Sequence, residues 1–95
     1  MNNLIVLNKN DNVGVSQFII PEKTKIQGHE ISTIDPIPFG HKVCLKTIKK
    51  GDPVIKYDQI IGFALEEIKP GEHVHSHNLE FRDFKRDFKV TGKKY

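Results

Sequence analysis

A stretch of the chain recurs at an offset of 20 residues, and this repeat narrows the choice of folds more than any other feature. LKTIKKGDPVIKY (45–57) aligns with LEEIKPGEHVHSH (65–77), matching at Leu45/Leu65, Ile48/Ile68, Lys49/Lys69, Gly51/Gly71 and Val54/Val74. Each copy reads as a short turn or single helical turn with one buried isoleucine. A glycine able to take positive φ follows, then a strand. Val54-Ile55-Lys56-Tyr57 is β-branched enough to support that strand in the first copy. By the repeat, Val74 begins a strand in the second. Two copies are too few for a solenoid. They predict two similar arms of one small β fold.

The remaining segments fit a β-rich, turn-rich chain. Asn12-Val13-Gly14-Val15 opens a strand, Val43-Cys44-Leu45 has a buried-strand pattern, and Ile60-Ile61-Gly62-Phe63-Ala64 is a further candidate after a turn at Asp58-Gln59. Phe18-Ile19-Ile20 is an apolar run stopped by Pro21, and Pro36 and Pro38 exclude a regular helix from residues 31–40. In the tail, Phe81, Phe84 and Phe88 fall on one helical face, in a segment too short to be a stable helix alone. The division expected is a β domain over 1–80 and a basic, Phe-containing tail over 81–95.

At 95 residues the chain makes one domain with a modest core, suited to supplying part of an active site rather than walling off a whole one. Cys44 is the sole cysteine, which excludes an internal disulfide; it reads as a small core residue before a catalytic thiol. No segment has the ~20 apolar residues of a membrane span or the form of a signal peptide, so a soluble cytoplasmic protein is expected. Residues 1–78 carry nine basic and nine acidic side chains, and the excess positive charge lies in 79–95, with six against three. No basic face with interleaved aromatics suggests nucleic-acid binding.

His73, His75 and His77 alternate within GEHVHSHNL (71–79). On an extended backbone all three imidazoles leave one face, opposite Val74, with about 6.6–7 Å between successive Cα atoms. A lone histidine is most often a surface or hydrogen-bonding residue. An alternating set is able to converge on a divalent metal, both nitrogens of a His-x-His pair reaching one ion at about 2.1 Å.

Asp11-Asn12-Val13, Gly40-His41-Lys42, Val54-Ile55-Lys56-Tyr57, Ile61-Gly62 and Val74-His75-Ser76-His77-Asn78, in that order, resemble the N-terminal domain of the altronate and galactarate dehydratases. The resemblance covers most of residues 11–79. It implies a mostly β fold, a small SAF-type β-clip domain with short helical turns. It also implies a reaction: a sugar acid loses a C3 hydroxyl and a C2 proton to give a 2-keto-3-deoxy acid, with a divalent metal, Fe(II) or Mn(II). Some members fuse the domain to a large catalytic region and others carry it as a small subunit, as do the sulfolactate sulfo-lyases. The chain departs from the family's Lys-Tyr-Gly-x-Pro-Ile-Gly at Asp58 and Ile60, and residues 24–39 and 80–95 have no placed counterpart.

Under this resemblance His75 and His77 are the leading metal ligands, with His73 beside them. His41 is a third ligand or a proton carrier, and Lys42 acts with it at the reacting centre. Lys56 and Asn78 are candidates for holding the substrate, Lys42 and Lys56 through its carboxylate and Asn78 by a hydrogen bond. Asn78 alternatively closes the strand end. His29 reads as a surface residue. No general base with its own partner is evident, so the expected assembly pairs this chain with a large catalytic subunit, and a homo-oligomer is compatible with it. The competing readings are a sulfolactate sulfo-lyase small subunit and a non-catalytic carbohydrate-binding module.

Overall fold

The computed structural model describes residues 4–6 and 9–81. Nine short strands make it up: β1 (Leu4–Ile5), β2 (Val13–Ser16), β3 (Lys25–Ile26), β4 (Ile31–Ser32), β5 (Lys42–Cys44), β6 (Pro53–Lys56), β7 (Gln59–Ala64), β8 (His73–Val74) and β9 (Leu79–Phe81). They form a four-stranded sheet in the order β1-β2-β5-β8, a three-stranded sheet β6-β7-β9 and the two-stranded ribbon β3-β4. All pairings are antiparallel. The mostly β class stands. Phe84 and Phe88, which share the expected helical face with Phe81, lie outside the described residues.

The sequence repeat is realised as an internal two-fold relation. In β5–β8, Lys42 pairs with Val74 and Val43 with His73. Moving 20 positions along gives Gly62 opposite Val54 and Phe63 opposite Pro53, which is the β7–β6 pairing observed. The relation extends to β2 on β5 (Val13 opposite Cys44) and β9 on β7 (Leu79 opposite Ala64). It passes between Ile48 and Ile68, whose backbones exchange hydrogen bonds: Ile48 N–H donates to Ile68 O at 2.9 Å and Ile68 N–H to Ile48 O at 2.8 Å. The helical turns expected there are absent; no helix occurs among the described residues. Pairing across the two-fold satisfies backbone groups that an isolated helical turn would leave without partners.

The main core repeats the same relation. It joins Val13, Cys44, Ile48, Val54, Ala64, Ile68, Val74 and Leu79. These are four equivalent pairs: Val13/Leu79, Cys44/Ala64, Ile48/Ile68 and Val54/Val74. Cys44 is wholly buried, and burial is the main cause that pushes its thiol up to about 12, so it packs as a hydrophobe. A second cluster of Leu4, Ile20, Ile26, Ile37 and Val43 fills the other face of β5. Of the run Phe18-Ile19-Ile20, only Ile20 is buried, bridging Ile37; Phe18 and Ile19 are exposed.

Two asparagines hold equivalent stretches of backbone, one in each arm. Asn12 Oδ1 accepts from Ile55 N–H at 2.7 Å, and its Nδ2 donates to Pro53 O at 3.0 Å. Asn78 Oδ1 accepts from His75 N–H at 2.9 Å, and its Nδ2 donates to His73 O at 2.9 Å. The acceptor and donor positions again differ by 20. In the β6–β7 hairpin, Tyr57 and Asp58 both take positive φ, 55° and 63°, as a two-residue turn with matching twist requires. Asp58 therefore fits where the family has glycine, and its N–H donates to Asp11 Oδ1 at 2.7 Å.

Gly51 and Gly71 are equivalent by the repeat and share left-handed φ values of 87° and 93°. A Cβ on Gly51 would meet open space, whereas one on Gly71 would run into the Ser32 carbonyl. Gly51→Ala is expected to cost about 1–2 kcal/mol from backbone strain alone. Gly71→Ala should cost clearly more, read as a larger drop in the urea midpoint; equal losses would contradict the packing described.

Candidate functional site

The site is built where β5 and β8 end together. Val43 faces His73 across the ladder and sits in the second core cluster, so His73 emerges on that face of the sheet. Alternation along β5 puts His41 on the same face. Beyond Val74 the strand stops. Residues 75–78 form a turn in which Asn78 N–H and Leu79 N–H both donate to His75 O, at 3.0 and 2.9 Å. The extended backbone expected through His77 is therefore interrupted. The buried Asn78 amide holds the carbonyl of 73 and the N–H of 75, which shapes a tight turn in place of further strand.

The structure brings His41, His73 and His75 together, each offering a ring nitrogen within 4.8 Å of the others. Their rings stack: centroids lie 4.2 Å apart for His41 and His75, 5.0 Å for His41 and His73, and 5.7 Å for His73 and His75. His41 Nδ1 lies 2.8 Å from His73 Nε2, so one ring donates and the other accepts. His75 Nδ1 is buried with no hydrogen-bond partner. His77 is exposed and stands outside the trio, with its ring 5.3 Å from that of His73. The pair singled out in the sequence, His75 and His77, is thus split between the trio and its margin. His41, from a strand more than thirty residues earlier, completes the group. His29 lies in the turn between β3 and β4, apart from the trio.

Lys42 points to the opposite face, beside Val74 and Cys44, and is buried. Its Nζ reaches over the Phe81 ring, 5.1 Å from the centroid, and the same ring meets His75 edge-on at 6.5 Å. Burial first, then the charge of Lys56, holds the Lys42 amine below its ordinary value. Lys56 Nζ lies over the Tyr57 ring at 5.2 Å. Two features of the site lay beyond reading from the sequence. One is the Phe81 ring. The other is Asp35, whose Oδ2 accepts from His73 N–H at 3.0 Å across 38 positions of sequence. No spacing rule links residues so far apart.

Three neutral imidazoles, one with a buried unpartnered nitrogen, fit a divalent transition metal. At His73 and His75 the surroundings favour the neutral ring. Burial is the first cause that lowers His73, followed by the charges of His41, His77 and His75, while Asp35 opposes them. Burial also leads for His75, followed by His41, Lys42 and His77.

Comparison with known proteins identifies the domain. Residues 2–82 match the altronate/galactarate dehydratase SAF domain. The chain belongs to that family. The match runs through residues 24–39, so that segment is part of the domain. An altronate dehydratase of Bacillus subtilis is 39% identical over 82 residues, which is 84% of this chain and 16% of the relative. An altronate dehydratase of Escherichia coli is 40% identical over 70 residues, 72% of this chain and 14% of the relative. A (2R)-sulfolactate sulfo-lyase subunit alpha of Paracoccus pantotrophus is 55% identical over 44 residues, 46% of this chain and 66% of the relative. The SAF domain thus spans about a sixth of the altronate dehydratases it matches. Among the described residues no helix is long and apolar enough to cross a membrane.

A histidine whose folded pKa lies below its unfolded value binds protons less readily in the fold, so the unfolded chain carries more of them as pH falls. Stability from His73 and His75 is full above 6.5 and is lost as pH drops through that value. The metal-free protein is expected to melt at a lower temperature at pH 5.5 than at pH 7.5, and His73→Gln should reduce that difference. An unchanged difference in the variant would contradict the assignment.

Proposed function

We propose that this chain is the small subunit of a metal-dependent sugar-acid dehydratase of the altronate/galactarate type, acting with a separate large catalytic subunit. The observation that carries the reading is the convergence of His41, His73 and His75 within a domain of this family. The substrate is a 2,3-dihydroxy acid and the product a 2-keto-3-deoxy acid. Bound at the trio, Fe(II) or Mn(II) would lower the barrier by polarising the substrate carboxylate and accepting the departing hydroxyl oxygen.

The chain's own residues do the rest. His41, His73 and His75 hold the ion in their neutral forms, with His77 at the rim. When His41 is not engaged in this way, its contact with His73 provides a route for a proton between two ring nitrogens. Lys42, over the Phe81 ring, and the half-buried Lys56 draw the carboxylate, and the charge of Lys56 acts on the Lys42 amine. Loss of water around Lys42 strengthens its attraction for an anion. Asn78 serves indirectly, since its amide is used to hold the 73–75 backbone. The part of the reaction that needs a further base falls to the large subunit, as expected of a chain matching about a sixth of a complete dehydratase.

The 55% identity to a sulfo-lyase alpha subunit favours a second reading, in which the same assembly expels sulfite from sulfolactate. The two differ in the leaving group and share the trio.

Co-expression with a candidate large subunit, followed by assay of a panel of sugar acids and of sulfolactate with and without Fe(II), separates them. Keto-acid formation without sulfite supports the dehydratase, and sulfite release supports the sulfo-lyase. His73→Ala and His75→Ala are each expected to lower kcat/KM at least about a hundred-fold, the loss of a ligand and of metal-borne stabilisation together. Full activity in both variants would remove the proposed role of the trio.

A further inference from the structure

The three imidazoles are neutral donors, and a divalent ion held by them alone keeps its full charge in a half-buried setting. Such a charge is costly unless a carboxylate lies nearby to offset it. Among the described residues, the group that meets the trio with a negative charge is Asp35. Its Oδ2 accepts the backbone N–H of His73 at 3.0 Å. The segment that carries it is held at several points. Ile34 N–H donates to Gly71 O at 2.8 Å, and Ile37 exchanges backbone hydrogen bonds with Ile20 at 2.7 and 2.8 Å. Pro36 and Pro38 flank Ile37, and Ile37 is wholly buried. Two fixed φ angles and a buried anchor leave Asp35 little freedom to swing away.

We infer that Asp35 is a positioning residue for cation binding: it fixes the backbone at His73 and supplies the negative charge that the histidine trio lacks. The carboxylate acts through His73 and through space. It is not one of the three ligand-bearing residues that lie within reach of one another. A carboxylate fixed at 3.0 Å from the His73 backbone N–H places negative charge beside the trio, where it favours a cation held there. The arrangement turns an all-imidazole donor set into one with a carboxylate at its back, suited to an ion that takes both nitrogen and oxygen ligands.

This inference rests on the metal reading of the trio, and the test separates the two. The full chain is titrated with Co(II) alone, followed by calorimetry and by the visible absorption of the bound ion. Asp35→Asn keeps an oxygen that accepts from His73 N–H but loses the charge. It should bind Co(II) about ten-fold more weakly, with a weaker dependence of affinity on salt and an unchanged melting temperature. Asp35→Ser, also neutral and also able to accept, is the second variant should Asp35→Asn fold poorly, and the same loss is expected. If either folded variant binds Co(II) within about two-fold of the unaltered chain, Asp35 has only a structural role and the inference fails. If the unaltered chain takes up no Co(II), the metal reading itself fails and takes this one with it.

Discussion

The structure depends on a reciprocal pair of backbone hydrogen bonds between Ile48 and Ile68. Both residues are buried, so each N–H and C=O left unpaired would cost more than the bond itself contributes. Because the two residues occupy the same place in two copies of one sequence pattern, pairing them relates everything on either side. Gly51 N–H reaches Ala64 O, and Gly71 N–H reaches Cys44 O, at 2.8 Å each. The core then consists of equivalent pairs, so a short chain without a helix among its described residues closes a core by using one solution twice. Asn12 and Asn78 complete the closure, Asn12 giving its amide to the backbone at 53 and 55 and Asn78 to the equivalent backbone at 73 and 75.

The site lies where the two arms stop being alike. His41, His73 and His75 correspond to Ile61, Pro53 and Ile55. The same backbone corner therefore presents imidazoles on one arm and apolar side chains on the other. Fold and site make separate demands on each arm. The positions facing the core, Val54 and Val74, are identical, and the intervening positions on the other face are free to diverge. This also explains why Val-His-x-His-Asn stands out among the recurring pieces. Its valine serves the core, its asparagine the turn, and its first histidine the site.

The electrostatics of the trio follow from crowding. Rings stacked 4.2–5.7 Å apart cannot all carry charge without strong mutual repulsion, and partial burial removes the water that would screen it. His73 and His75 are both lowered in consequence, and neutral imidazole is the form that binds metal. Lys42 is lowered by the same means on the other face of the strand. The Phe81 ring touches both sides, since Lys42 Nζ lies over it and His75 meets its edge.

The repeat, the strands at 13–16, 42–44, 53–56 and 59–64, the buried thiol and the glycines with positive φ were all legible in the amino-acid order, because each rests on local geometry or on a pattern compared with itself. The nearness of His73 and His75 was expected from the two-residue period of a strand, but the structure reaches it with a strand that already ends at Val74. The end of the strand at Val74 was not legible, because it is set by Asn78 folding back on the backbone three and five residues before it. His41 joining the histidines and Asp35 reaching His73 were beyond reach for a different reason. Antiparallel register and the path of the proline-bounded segment decide which distant residues meet, and neither leaves a spacing in the sequence. The chain's order thus determined the repeated scaffold and the residue types available for a site. Only the tertiary structure decided which of them share it, because contact across strands depends on register and not on distance along the chain.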